Sequence, residues 1–112
     1  MGEQLKTIKV TANDKLYDIT FTVKDPLTRL PINLEDVDNI KFQVADMIEN
    51  ENILNAECSI ILPTANGRCK YTVQEEDFTV ENNYYGMLQI TYESGKIIST
   101  KKFKLEVKPE LG

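Results

Sequence analysis

An all-β fold, an immunoglobulin-like antiparallel sandwich of two layers with short helical turns, is predicted by three observations. About seven short runs alternate apolar and polar residues, glycine, proline and asparagine mark turns between them, and no apolar stretch is spaced like a long helix. At 112 residues the chain suits one domain, 1–112, large enough to bury a core without staples.

Taken in order, residues 5–10 alternate loosely with Ile8 and Val10 inward and Lys9 outward, and residues 11–14 read as a turn. Residues 16–24 give the cleanest period of two. Tyr17, Ile19, Phe21 and Val23 form one face, against Asp18, Thr20, Thr22 and Lys24. Asp25-Pro26 stops that strand, because proline removes a ladder donor. From Leu34 the spacing widens to Val37 and Ile40, which predicts a single helical or 3₁₀ turn, and residues 39–45 resume as a central strand. The acidic segment 46–52 lacks the alternating ligands and turn glycine of a calcium loop and reads as a solvated loop.

Residues 53–62 and 68–73 are expected to form a hairpin across Asn66-Gly67, with Leu62 facing Tyr71 and Ile60 facing Val73. That register leaves Cys69 opposite Thr64 and far along the ladder from Cys58, so both cysteines are expected to be buried free thiols. Residues 74–78 suit one helical turn, and Glu75, Glu76 and Asp77 read as an exposed connection rather than paired catalytic carboxylates.

Residues 84–107 carry the longest strand pair. A two-residue Ser94-Gly95 turn would set Tyr92 against Ile97, Gly86 against Phe103 and Tyr84 against Leu105 on the core face. The other face would carry Tyr85 with Lys104, Met87 with Lys102, Gln89 with Thr100 and Thr91 with Ile98. Lys101 would then fall on the apolar side opposite Leu88, which predicts either a bulge near Ser99 and Thr100 or a snorkelling lysine. Tyr84 stands where immunoglobulin-like folds often tie a corner with a tyrosine hydroxyl, or is an ordinary half-buried strand tyrosine. Gly67, Gly86 and Gly95 are structural candidates alongside it.

The totals exclude several functions. A net charge of -5 and a pI near 4.7 argue against nucleic acid as a partner, because phosphate binding draws on a basic surface. The run Lys101, Lys102, Lys104, Lys108 reads as protection of a long terminal strand against edge pairing. No apolar run approaches bilayer length, so no membrane insertion is expected. Met1 is followed by Gly2, Glu3 and Gln4 rather than a basic then apolar stretch, which implies synthesis and first folding in the cytosol. With no histidine, neither a four-ligand zinc site nor a cysteine-histidine nucleophile pair can be completed. No catalytic, cofactor or metal residues are assigned.

The order of elements resembles the N-terminal immunoglobulin-like domain of phage baseplate upper proteins. The likeness is carried by DITFTVKD at 18–25, NLEDVDNIKFQVAD at 33–46, NGRCKYTV at 66–73, the acidic turn EEDF, and the final hairpin with Tyr84, Gly86, Leu88, Ile90, Tyr92, Ser94 and Gly95. Two positions depart from the family pattern. Asn82 stands where a glycine is frequent, and residues 99–103 lack a proline. Another phage tail or adhesin module of the same architecture fits these departures as well.

The resemblance implies a virion structural protein: the N-terminal attachment domain of a longer baseplate or tail-fibre protein, docking on the tail-tip baseplate. Its partners would be other virion proteins of the baseplate, with homo-oligomerisation, as a trimer in the full-length protein, and assembly in the bacterial cytoplasm. The alternative is a carbohydrate-binding or adhesin module using Tyr85 and Met87, although a chain without tryptophan offers a poor stacking platform for sugars. For docking, the outer face of the last hairpin is the candidate, with Tyr85, Met87, Ile98, Thr100 and Lys102, unless a further strand or N-terminal residues cover it.

Overall fold

The computed structural model describes residues 7–25, 27–48 and 51–109. Leu5 and Pro26 lie outside them. Among the described residues nine strands pack as an immunoglobulin-like sandwich: β1 Thr7–Thr11, β2 Asp18–Thr22, β3 Val37–Asp46, β4 Asn52–Glu57, β5 Ser59–Ile60, β6 Arg68–Thr72, β7 Asn82–Tyr92, β8 Ile97–Ser99 and β9 Phe103–Lys108. The larger sheet runs β1-β9-β7-β3-β4 with β8 also on β7, and the smaller runs β2-β6-β5. Pairing is antiparallel except between β1 and β9, which run parallel from Thr7 beside Lys104 to Thr11 beside Lys108.

The alternation read from the sequence is what fills the space between the sheets. The smaller sheet sends in Ile19, Phe21, Val23, Cys69, Tyr71 and Val73, and the larger sends in Ile40, Phe42, Val44, Leu88, Ile90, Phe103 and Leu105. Phe42 anchors the middle. Its ring centroid lies 5.2 Å from that of Phe21 and 5.5 Å from that of Tyr71, tilted pairings suited to the quadrupoles of the rings. Leu34 and Val37 are buried around a hydrogen-bonded turn, with Val37 N–H donating to the Leu34 carbonyl at 3.2 Å.

The two extra strands arise where two long runs break. The run 53–62 does not stay in one sheet: β4 pairs with β3, the chain crosses at Cys58, and β5 pairs with β6. The expected hairpin register is therefore corrected. Ile60 stands opposite Cys69 and Ser59 opposite Lys70, while Leu62 is 77% exposed. The turn is longer than Asn66-Gly67 alone, with a cis Leu62-Pro63 bond and a 3₁₀ turn at Thr64–Asn66 capped by Gly67 in the left-handed region. A Cβ on Gly67 would come within 2.7 Å of the Val23 carbonyl oxygen. Glycine is demanded there by a distant loop as well as by the turn.

The second break lies between β8 and β9. The hairpin loop has three residues rather than two: Tyr92 N–H donates to the Lys96 carbonyl at 2.8 Å, and Gly95 takes φ +93°. That is the three-residue form with a glycine at its last position. It shifts β8 by one, so Ile98 faces Ile90 and Ile97 faces Thr91. The β9 pairs are as expected, with Gly86 opposite Phe103, Tyr84 opposite Leu105 and Tyr85 opposite Lys104. Between the two registers Thr100 N–H donates to the Leu88 carbonyl at 2.9 Å, leaving Lys101 and Lys102 together opposite Met87. This is the bulge that the misplaced Lys101 signals in the sequence, set one to two residues further on.

Residues 74–78 form a bent turn rather than a helical one, with Phe78 buried beneath it. Asp77 organises this turn, accepting from the Tyr71 hydroxyl and from Gln74 N–H at 2.8 Å. The tyrosine that ties this corner is thus Tyr71. Tyr84 is buried within β7.

Candidate interaction surface

β7 runs through the middle of the larger sheet, and its inward residues Tyr84, Gly86, Leu88 and Ile90 are held against the core. Strand geometry then sends Tyr85, Met87, Gln89 and Thr91 to the outer face. Gly86 permits this placement, because the Phe103 ring occupies the space a side chain would take, 2.3 Å from an ideal Cβ. Tyr85 lies between Ala45 of β3 and Lys104 of β9, and Met87 lies beside Gln43. The bulge swings Lys102 over the Tyr85 ring, with Nζ 5.7 Å from its centroid. Gln43, Ala45, Asn52, Tyr85, Met87 and Lys102 line a shallow depression there.

Of the five residues expected on this surface, the structure brings Tyr85, Met87 and Lys102 together and separates Ile98 and Thr100 from them. Ile98 shares the inner side with Ile90 and sits at its margin, 38% exposed. The Oγ1 of Thr100 accepts from Leu88 N–H at 3.0 Å, which fills the ladder at the bulge. A one-residue slip in register changes the face of every side chain on a strand, and β8 has that slip. Gln43 and Ala45 of β3, and Asn52 of β4 beyond them, escape sequence reading because the pairing of β3 with β7 joins segments far apart in the chain.

Further along β9 the same face becomes charged. Glu106 takes Lys104 at 3.1 Å and Lys108 at 3.3 Å, with Lys9 of β1 in register beside it. Hydrogen bonds from those two lysines hold its carboxyl below the usual range. Asp46, at the start of the acidic loop, accepts from Ile48 N–H at 2.7 Å and from the Asn82 side-chain amide at 2.9 Å. Among the described residues no group of three or more acidic, cysteine or histidine side chains is placed to hold a metal ion. Glu75, in the turn that Asp77 organises, pairs with Lys15 at 3.2 Å on an exposed surface.

A model of the BppU N-terminal domain family, a phage baseplate upper protein family, matches residues 2–111. No curated protein matches the chain. Among solved structures, CopC from Methylosinus trichosporium OB3b is similar with a TM-score of 0.57 and 12% identity, over 97% of this chain and 89% of CopC. At that identity the likeness concerns the fold alone. Murine CRIg aligns at 12% identity over 96% of this chain and 95% of its own, with a TM-score of 0.40 that carries no argument.

Proposed function

The chain belongs to the BppU N-terminal domain family, and from that premise we propose that it is a non-enzymatic attachment domain of a phage tail. In this reading residues 1–112 form one domain at the N-terminal end of a longer virion protein. It docks on another baseplate protein through the outer face of its larger sheet, around Tyr85, Met87 and Lys102. The full-length protein is a homo-oligomer, a trimer, assembled in the bacterial cytoplasm and carried in the tail of the virion. The observation that carries the reading is the family match over residues 2–111.

The surface supports a protein partner better than a sugar. Tyr85 is the one ring at the centre of the depression, and Lys102 already lies over it. A sugar would have to displace that cation before stacking. A protein partner can instead bury the methionine, the tyrosine edge and the lysine stem together, with polar groups at the rim.

The test is the double variant Tyr85→Ala, Met87→Glu in the full-length protein, followed through tail assembly. The expected result is a folded protein that fails to enter tails. A folded double variant that incorporates like the wild type would remove this face as the attachment surface.

A further inference from the structure

Cys58 and Cys69 are not the separated thiols that a simple hairpin would make them. Cys58 sits where the chain leaves the larger sheet, its N–H donating to the Ile40 carbonyl at 2.7 Å, and Cys69 lies in the central strand of the smaller sheet between Phe21 and Ile60. The pairing of Ile60 with Cys69 puts Cys58, two residues earlier, on the same face one pleat away. Both side chains are buried, Cys69 completely, and each thiol perturbs the ionisation of the other. Two neighbouring cysteines in an apolar core, where any small aliphatic pair would fill the space, carry a chemistry that packing does not require.

We propose that Cys58 and Cys69 are a latent intrachain disulfide site, made as a dithiol and closed by a peroxide-class oxidant. The Cys58 thiol donates its proton toward the Cys69 sulfur, which pushes ionisation of Cys58 up and that of Cys69 down. In the proposed sequence Cys69 acts as the nucleophile. Its thiolate attacks one oxygen of hydrogen peroxide, the O–O bond breaks, and the departing oxygen leaves as water after taking a proton. Cys58 then loses its proton and attacks the sulfur of the Cys69 sulfenic acid. The S–S bond forms, the S–O bond breaks and a second water departs, so two thiols and one peroxide become one disulfide and two waters.

Access is the slow part, because Cys69 is fully buried. The opening that admits the oxidant is fraying of β5, a two-residue edge strand. Once closed, the bond ties β6 to the point where the chain passes between sheets and restricts the unfolded chain over the intervening loop. The inference concerns the core and stands whether or not the outer face docks on a baseplate.

The experiment is peroxide treatment of the folded full-length domain, purified with reductant and then freed of it, followed by denaturation, alkylation and peptide mass mapping. Expected are loss of two hydrogens in mass, no alkylation of either cysteine until reductant is added, a cross-linked peptide joining 58 to 69 within one chain, and a reductant-reversible rise in the denaturant midpoint. In Cys58→Ser, Cys69 should be trapped by dimedone as sulfenic acid, whereas the wild type should give no such adduct. Two alkylatable thiols after treatment, sulfinic acid at both positions, or a bond between chains would overturn the proposal. If the serine variant does not fold, the wild-type mass map decides.

Discussion

The two sheets turn very different outer faces to solvent. On the smaller sheet the outward residues of β2 and β6 are Asp18, Thr20, Thr22, Arg68, Lys70 and Thr72, with Asp18 accepting from the Thr72 hydroxyl and lying 3.6 Å from Lys70. These groups are short or charged, and gain nothing by leaving water. On the larger sheet the same alternation puts Tyr85, Met87 and Ala45 at the centre of the face, with Lys102 laid across the tyrosine. Both faces satisfy the requirement that a strand have a wet side, but the second holds its apolar surface at the centre of the face, where a partner could remove it from water.

Substitutions can test that difference, starting with the inner side of the larger sheet as the reference for what burial is worth. Phe42→Ala should lower unfolding free energy by about 3–5 kcal/mol in denaturant titration, since it empties the centre of the aromatic cluster. Tyr85→Ala with Met87→Glu should lower it by clearly less than Phe42→Ala does, by about 1–2 kcal/mol, since both positions are half-buried and leave the core intact. The matched pair on the smaller sheet, Thr20→Glu with Thr22→Glu, should be as mild in stability and leave tail incorporation intact. Equal loss of incorporation from both pairs would erase the distinction between the faces.

One pH response reports on each sheet. The Tyr71 hydroxyl is pushed upward by burial and then by its bond to Asp77, and Tyr17 upward by burial and then by Asp14 and Asp77. A raised folded pKa means stability is intact below the unfolded value of about 10 and declines as pH rises past it. Tyr71→Phe should flatten that alkaline decline in melting temperature while lowering the plateau. The smallest effect belongs to Glu106, whose lowered pKa gives stability present above the unfolded carboxylate value and lost as pH falls through the folded one. Glu106→Gln should remove that acid-side slope, read as a smaller fall in melting temperature below about pH 4.3.

Local alternation made most of the core legible. Tyr17, Ile19, Phe21 and Val23 all lie on the inward face read from a period of two, and Tyr71 and Val73 do likewise. The failures occur where a distant contact outbids a local signal. Asn66-Gly67 is a strong turn dipeptide, yet Gly67 is also pressed against the backbone of Val23 and Ile32, and Leu34 N–H reaches the Thr64 carbonyl at 3.0 Å. The turn is built around those contacts, which moves the register and brings the cysteines together. At the last hairpin the sequence flags a fault through Lys101 but cannot tell a two-residue loop from a three-residue one. Tyr85 and Met87 survive that ambiguity because their face is set by β7, whereas Ile98 does not because its face is set by the loop.

The parallel seating of β1 on β9 has a mechanical consequence. Thr7 lies beside Lys104 and Thr11 beside Lys108, so Thr7 and Lys108 mark opposite ends of the shared ladder. A pull that draws those two residues apart slides one strand along the other and loads the ladder's hydrogen bonds together, whereas an antiparallel pair pulled from its adjacent ends would peel one bond at a time. A tether entering through β1 and leaving through β9 is therefore held in shear, with Ile8, Val10, Leu105 and Val107 packed behind the bonds that bear the load.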